Sequence, residues 1–249
     1  MGNFESVKSS NESTGYVERV GGSVSHLQPG DKVICLERGD YDTFLRSPAQ
    51  KCLKLADDAD LVAMATVGIA HGTAIYALDY LAHLEAGESV LIQAATGGLG
   101  LASIQYAKHV GAEIYATVGT QQKKDYLISE CGIPEERIFW SRSLQYKDAL
   151  LKQTKGRGVD VALSTISGPG FHETLKCLAP CGRFVDVGRG NVLDKGSMGL
   201  HVFDRSISFF SFDLNLVLEE KPWIAQRYAR IYGTVGSPVG CHRLANISL

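Results

Sequence analysis

The stretch SVLIQAATGGLGLASIQYAKHV, Ser89 to Val110, decides how the rest of the chain is read. A short apolar run ends near Gln93, a glycine-rich turn follows, and a helical apolar pattern follows that. Ala95, Gly97 and Gly100 occupy the first, third and sixth places of the glycine fingerprint found between a buried strand and a helix. Only the first glycine is replaced, by alanine. Gly97 lets backbone approach a phosphate, Gly100 lets the helix pack tightly on the strand, and the unpaired N–H groups of a helix start favour an anion. The pattern implies a dinucleotide pyrophosphate at the turn. A merely tight strand-to-helix connection is the competing reading.

The next segment, Ala112 to Val118, reads as a second strand, apolar enough to be buried on both faces as in a parallel sheet. An acidic residue at its tip would grip a ribose 2′-hydroxyl. Here the tip reads Gly119, Thr120, Gln121, Gln122, Lys123, Lys124, with no acid before Asp125. A hydroxyl and cations suit a 2′-phosphate, so NADPH is expected rather than NADH. The competing reading of the lysines is a solvated helix face.

Beyond Lys124 strand and helix alternate. Helices are expected at 125–131, 147–154, 171–178 (stopped by Pro180) and 222–232, and strands at 137–140, 159–164, 182–188 and 207–212. That succession argues for a doubly wound sheet with ligands beyond the carboxyl ends of the strands, where 164–167 and 188–191 fall. Upstream, from Gly15 to Leu55, short strands with turns (GYVERVG, SVSHLQPGDKVICL, DYDTFLRS, KCLKL) suggest a small barrel, and 57–85 reads helical. The first residues are polar and expected to be poorly ordered.

The 249 residues carry 45% hydrophobic content and a formal charge of −2, ample for a core and without an electrostatic case for nucleic acid. No apolar run approaches a membrane span. Six cysteines (35, 52, 131, 177, 181, 241) are scattered, with no CxxC pair and no signal peptide, so reduced thiols in a cytoplasmic protein are expected. Pro180 between Cys177 and Cys181 argues against a metal pair there. Met1-Gly2 with Ser6 matches a myristoylation pattern without a second anchoring signal, and the sequons at Asn11 and Asn246 lack a secretory signal.

These residues resemble the medium-chain dehydrogenase/reductase family, most nearly the enoyl reductase domain of fungal highly reducing polyketide synthases. The likeness spans roughly Glu12 to Tyr232 and rests on ESTGYVERVGGSVSHLQPGDKV, GTAIYAL, SVLIQAATGGLG, IPEERIFWSR, GRGVDVALSTISG, LAPCGRFVDVGR and FDRSISFFSFDL. It implies an α/β fold: a Rossmann-type doubly wound parallel sheet with a partial GroES-like β-barrel domain. The expected division is a disordered N-terminus over 1–11, the partial barrel over 12–60, a connecting helical segment over 61–87, the NADPH-binding domain over 88–232 and a divergent tail over 233–249. The implied reaction is hydride transfer from NADPH to an enoyl thioester on an acyl carrier protein of a synthase. A homodimer is left open.

Carried over by the resemblance, Ala95, Thr96, Gly97, Gly98, Leu99 and Gly100 form the pyrophosphate turn. Thr120 and Lys123 fall at the 2′-phosphate, and Arg142 beside the adenosine. Ser164, Thr165, Ile166 and Gly188 stand at the nicotinamide. The family's early barrel strands are not matched, and likeness fades after Tyr232. Gly170 and Asn191 replace a lysine and an aspartate that line the site in related animal fatty-acid synthase reductases. His71, Tyr41 and Asn191 are the remaining candidates at the reacting centre, with core packing the competing reading for His71 and Tyr41. No zinc-ligand pattern is present, so no metal is expected. The alternative function is a degenerate reductase domain reused as a non-redox polyketide cyclase or isomerase, or as a synthase partner.

Overall fold

A computed structural model describes residues 10–39 and 42–228. Tyr41, Met1-Gly2, Cys241, Asn246 and the end of the expected last helix lie outside them. The chain divides into two compact units: one runs to Gly72 and takes in residues from Leu214 onward, the other is Thr73–Asp213. The first division falls inside the expected connecting segment, the second before the end of the expected nucleotide-binding segment.

In the first unit, β1 (Ser13–Tyr16), β2 (Lys32–Cys35) and β3 (Cys52–Lys54) form an antiparallel sheet in that order. Leu27, Val33 and Cys52 make its small core. The sheet brings Cys35 and Cys52, seventeen residues apart, into direct register. Helix α1 (Leu61–Met64) is capped by Asp60, whose Oδ1 accepts the amides of Val62 and Ala63. Helix α2 (Gly68–Ile75) starts on the Glu12 carboxylate, which accepts the Ile69 amide at 2.7 Å. The segment DYDTFLRS forms no strand over 42–47. Phe44 and Leu45 are exposed there, so alternation has no face to bury.

The second unit is built on six parallel strands in the order β6-β5-β4-β7-β8-β9. After α2 a π-helical segment, Tyr76–Leu81, leads to β4 (Ser89–Ile92), α3 (Gly98–Val110), β5 (Glu113–Val118) and α4 (Gln121–Ser129). Then come β6 (Ile138–Trp140), α5 (Tyr146–Gln153), β7 (Val159–Ser164), α6 (Pro169–Lys176), β8 (Leu178–Asp186), α7 (Gly190–Leu193) and β9 (Ser208–Ser211). Helix α8 (Leu214–Glu220) belongs to the first unit. The α/β reading therefore holds, with two local differences. Helix α4 begins at Gln121, four residues before the expected start, because Thr120 caps it. Strand β8 runs through Pro180: the ladder passes from Val159–Leu178 to Val161–Arg183, so 179–182 bulge out and the missing proline N–H is never needed.

One face of this sheet is hydrophobic in a cross-strand row. Leu91, Tyr115, Ala162 and Phe184 are register neighbours and sit in one buried cluster with Tyr146, Leu150, Phe171 and Leu175 from α5 and α6. Burying a side chain of this size stabilises by about 1.5–3 kcal/mol. Two residues further along each strand, on the same face, chemistry changes from apolar to polar.

Candidate functional site

The carboxyl ends of the strands carry that polar row: Thr117 on β5, Gln93 after β4, Ser164 on β7 and Asp186 on β8, all buried. Each holds a loop that leaves the sheet. The Thr117 hydroxyl accepts the Ala94 amide at 3.2 Å, fixing the start of the glycine turn. Gln93 Oε1 accepts the Thr165 amide at 3.4 Å, while its Nε2 donates to Thr174 Oγ1 at 2.7 Å and to the Tyr146 hydroxyl at 3.5 Å. The Tyr146 and Thr174 hydroxyls share a hydrogen bond at 2.6 Å, and both lie within hydrogen-bond distance of the Gly170 carbonyl. Burial, eased by hydrogen bonds to Thr174 and Gln93, pushes the Tyr146 phenol up to about 12, so it stays a neutral donor. Ser164 is fully buried and donates to the Ile166 carbonyl at 3.5 Å. It therefore acts on its loop from beneath, whereas Thr165 and Ile166 are half-buried.

Asp186 accepts the Arg189 amide at 3.2 Å, and its Oδ2 is buried without a partner. Burial raises its carboxyl above the usual range, against the lowering effect of the Arg189 and Gly188 amides. Arg189 adopts the left-handed region at φ 56° and pairs with Asp213 at 2.6 Å. The Asn191 carboxamide accepts the Gly168 amide at 3.0 Å and leaves Nδ2 buried without an acceptor. Gly188 is required by the fold itself: a Cβ there would lie 2.6 Å from the Thr165 carbonyl oxygen, so the two strand-end loops touch backbone to backbone.

The glycine turn separates two reasons for lacking a side chain. A Cβ on Gly100 would lie 2.5 Å from the Ala95 carbonyl carbon and oxygen, so α3 could not pack against the turn. A Cβ on Gly97 would approach only the Ala94 carbonyl oxygen, at 3.4 Å, and its φ of −75° suits any residue. Nothing in the fold requires glycine at 97. The residue is exposed, it starts α3 without a side-chain cap, and the first intrahelical bond of that helix is Leu101 N–H to Gly97. Amides 98–100 therefore precede the ladder, beside Ala95 and Thr96, as an anion-binding start.

At the tips of β5 and β6, Thr120, Lys123 and Arg142 are all exposed, and Arg142 Nε lies 3.8 Å from the Cβ position of Gly119. Lys124 differs from Lys123: it pairs with Glu135 at 3.0 Å and lies over the Trp140 ring. Thr120 Oγ1 also accepts the Lys123 amide at 3.4 Å, a capping duty the sequence reading did not anticipate. His71 is buried with Nδ1 3.1 Å from the Val67 carbonyl. A carbonyl only accepts, so Nδ1 carries the proton. His172 is exposed beside Phe171.

Comparison with known proteins agrees with this geometry. The zinc-binding dehydrogenase family matches residues 98–221. The chain is 36% identical to a putative enoyl reductase domain of a polyketide synthase, covering 73% of this chain and 94% of that one, with a TM-score of 0.60. It belongs to the medium-chain dehydrogenase/reductase family, among polyketide synthase enoyl reductases. The CurK enoyl reductase is 32% identical with a TM-score of 0.79, over 89% of this chain and 65% of that one. The highly reducing polyketide synthase fogA of Aspergillus ruber is 42% identical over 202 residues, which is 81% of this chain and 8% of that synthase.

This enoyl reductase-like chain thus spans about a tenth or less of the fungal synthases it matches. The family description mentions zinc; among the described residues no group of three or more His, Cys, Asp or Glu could hold a metal ion. No described helix is long and apolar enough to cross a membrane. The buried polar row was missed by sequence reading. Its signal is an apolar strand that ends in Thr, Gln, Ser or Asp at the same distance from each preceding core residue.

Proposed function

We propose that this chain is an NADPH-dependent enoyl reductase acting on α,β-unsaturated polyketide thioesters. Gly97 carries the reading. It is a glycine with ordinary dihedrals at the start of a helix, where a Cβ would make only an ordinary contact with the Ala94 carbonyl oxygen, so its small size serves something outside the chain. In this reading the amides 98–100 with Ala95 and Thr96 hold the pyrophosphate, Thr120 and Lys123 the 2′-phosphate, and Arg142 the adenosine side. Thr165, Ile166 and Gly188 bound the nicotinamide, with Ser164 and Gln93 fixing their loop from below. When bound, NADPH supplies the hydride that adds to the substrate β-carbon.

Asn191 Nδ2 offers a hydrogen bond to the thioester oxygen as enolate charge develops, and stabilisation of that charge lowers the barrier. The α-carbon then takes a proton from water or from a side chain. His71 and Tyr41 are the side-chain candidates of the sequence reading. The acyl chain is carried as a thioester, on a carrier protein of a synthase, in a cytoplasmic setting. In the same proposal the nucleotide is held by the second unit, Thr73–Asp213, in which most of the expected 88–232 segment falls.

Purified protein given NADPH and enoyl thioesters of several lengths should oxidise the cofactor and yield a product heavier by two hydrogens. No cofactor oxidation at any length overturns the proposal. The second reading is a cyclase or isomerase that works without redox chemistry; the CurF ER cyclopropanase, 30% identical with a TM-score of 0.79 over 90% of this chain, is named for ring formation, not for the absence of a reductant. Ring formation without cofactor consumption would support that non-redox reading.

A further inference from the structure

The thiols of Cys35 and Cys52 face each other across β2 and β3 with sulfurs 3.3 Å apart. Their ladder position matters. The bond from Leu36 N–H to Lys51 O makes the neighbouring pair the hydrogen-bonded one, so Cys35–Cys52 is the pair without backbone bonds. Cα atoms in such pairs are about 4.5 Å apart, the short end of the separations of about 4.4–6.8 Å that a disulfide spans. Two antiparallel strands thus hold both sulfurs where a bond could close without rebuilding the sheet.

The surroundings make one sulfur the nucleophile. The hydrogen bond between the two sulfurs, with Ser47 and His26 nearby and burial opposing, holds the Cys52 thiol below the ordinary thiol value. The same hydrogen bond, with burial, raises Cys35. Cys52 is buried, whereas Cys35 is half-buried and gives the pair its approach from solvent. The other described cysteines are on separate elements: Cys131 after α4, Cys177 after α6 and the exposed Cys181 in the β8 bulge.

We propose that Cys35 and Cys52 are a reversible oxidation site on the small sheet, taking hydrogen peroxide as the two-electron oxidant. The Cys52 thiolate attacks one peroxide oxygen, the O–O bond breaks, and the leaving hydroxide takes a proton to become water. Cys52 is then a sulfenic acid. The Cys35 sulfur attacks the Cys52 sulfur, the S–O bond breaks, and hydroxide leaves with the Cys35 proton as a second water. Two thiols lose two electrons and two protons, and one peroxide becomes two waters. A dithiol reductant reverses the step by thiol–disulfide exchange, its thiolate attacking one sulfur of the bond. The site is independent of the reductase reading.

The full chain is treated with hydrogen peroxide, blocked with iodoacetamide, denatured and mapped by mass spectrometry. The expected result is a linked Cys35–Cys52 peptide pair lighter by two hydrogens, returning to two alkylated thiols after dithiothreitol. Independent alkylation of both thiols while Cys181 is oxidised overturns the proposal, as does sulfinic acid at either position without a link. Phenylarsine oxide, which bridges two adjacent thiols, should protect both from alkylation in the reduced protein, and protection of neither counts against the site. In Cys35→Ser, dimedone should trap Cys52 as a sulfenic acid, and no labelling there contradicts the order of attack. If that variant does not fold, the wild-type link and the arsenical decide alone.

Discussion

Replacing Gly97 with alanine, and separately Gly100 with alanine, divides binding from folding within one turn. At Gly97 the new methyl lies 3.4 Å from the Ala94 carbonyl oxygen and meets no other atom within 4 Å, with φ already at −75°. Losing glycine at an N-cap costs roughly 0.5–1 kcal/mol, and restricting the unfolded chain returns about 0.4–1 kcal/mol, so the denaturation midpoint should hardly move. Binding is different. A methyl at the mouth of the turn holds a phosphate off amides that need it within about 3 Å, and a charge-assisted bond there is worth about 1.5–3 kcal/mol. The dissociation constant for NADPH should rise at least about tenfold.

At Gly100 the methyl would lie 2.5 Å from backbone carbon and oxygen of Ala95, which no side-chain rotation relieves. Overpacking of this kind costs about 1–3 kcal/mol, and better helix propensity recovers up to about 1 kcal/mol. Gly100→Ala should therefore lose about 1–2 kcal/mol of stability. Urea unfolding and a cofactor titration on the two variants provide the assay. Equal stability losses, or a Gly97→Ala protein that binds NADPH as the wild type does, would refute the assignment of separate duties.

Lys123→Ala should leave stability unchanged, because the side chain is exposed, and should weaken NADPH several-fold while sparing NADH; parallel losses for both cofactors would reject the 2′-phosphate role. Thr120→Ala should add a stability loss of about 1 kcal/mol from the missing cap, visible in thermal melting without any cofactor. Gln93→Leu removes the acceptor for the Thr165 amide and a donor to Thr174, so urea unfolding should show a loss of roughly 2–3 kcal/mol, and a neutral result would deny the buried row its part in holding the loops.

At the opposite end of the sheet, burial opposes ionisation of Asp160, yet Arg157 and both the amide and hydroxyl of Ser89 pull it down to about 2. Its folded value is depressed, so its stabilisation is present above the ordinary carboxylate value near 3.8 and is lost as pH falls toward 2. The effect is on the order of 1–2 kcal/mol once screening at the exposed Arg157 is included. Asp160→Asn should flatten that part of the acid unfolding curve, and an unchanged curve would contradict the pairing.

What the sequence displayed was local chemistry. The glycine turn, the lysine-bearing tip of β5 and the alternation of strand and helix are each written in consecutive residues, and the structure returns them. What it hid depends on register. Gln93, Thr117, Ser164 and Asp186 lie far apart in the chain and become one row only when four strands align at their carboxyl ends. Cys35 and Cys52 looked scattered for the same reason, since nothing in seventeen residues of spacing states that two strands will pair at those positions. Pro180 was read as the stop of the preceding helix, which ends at Lys176; the early start of β8 at Leu178 was not legible, because a bulge removes the need for the proline's missing N–H. His71 drew attention as a titratable group, and its helix carbonyl partner became visible only with the fold.

Titration of the purified chain with NADPH and NADH, followed by nicotinamide fluorescence, tests the central claim most directly. The account predicts saturable binding of both cofactors, with NADPH tighter, and NADPH binding at least about tenfold weaker in Gly97→Ala at unchanged stability. Fluorescence that never saturates with either cofactor, in a protein that melts cooperatively, would contradict it.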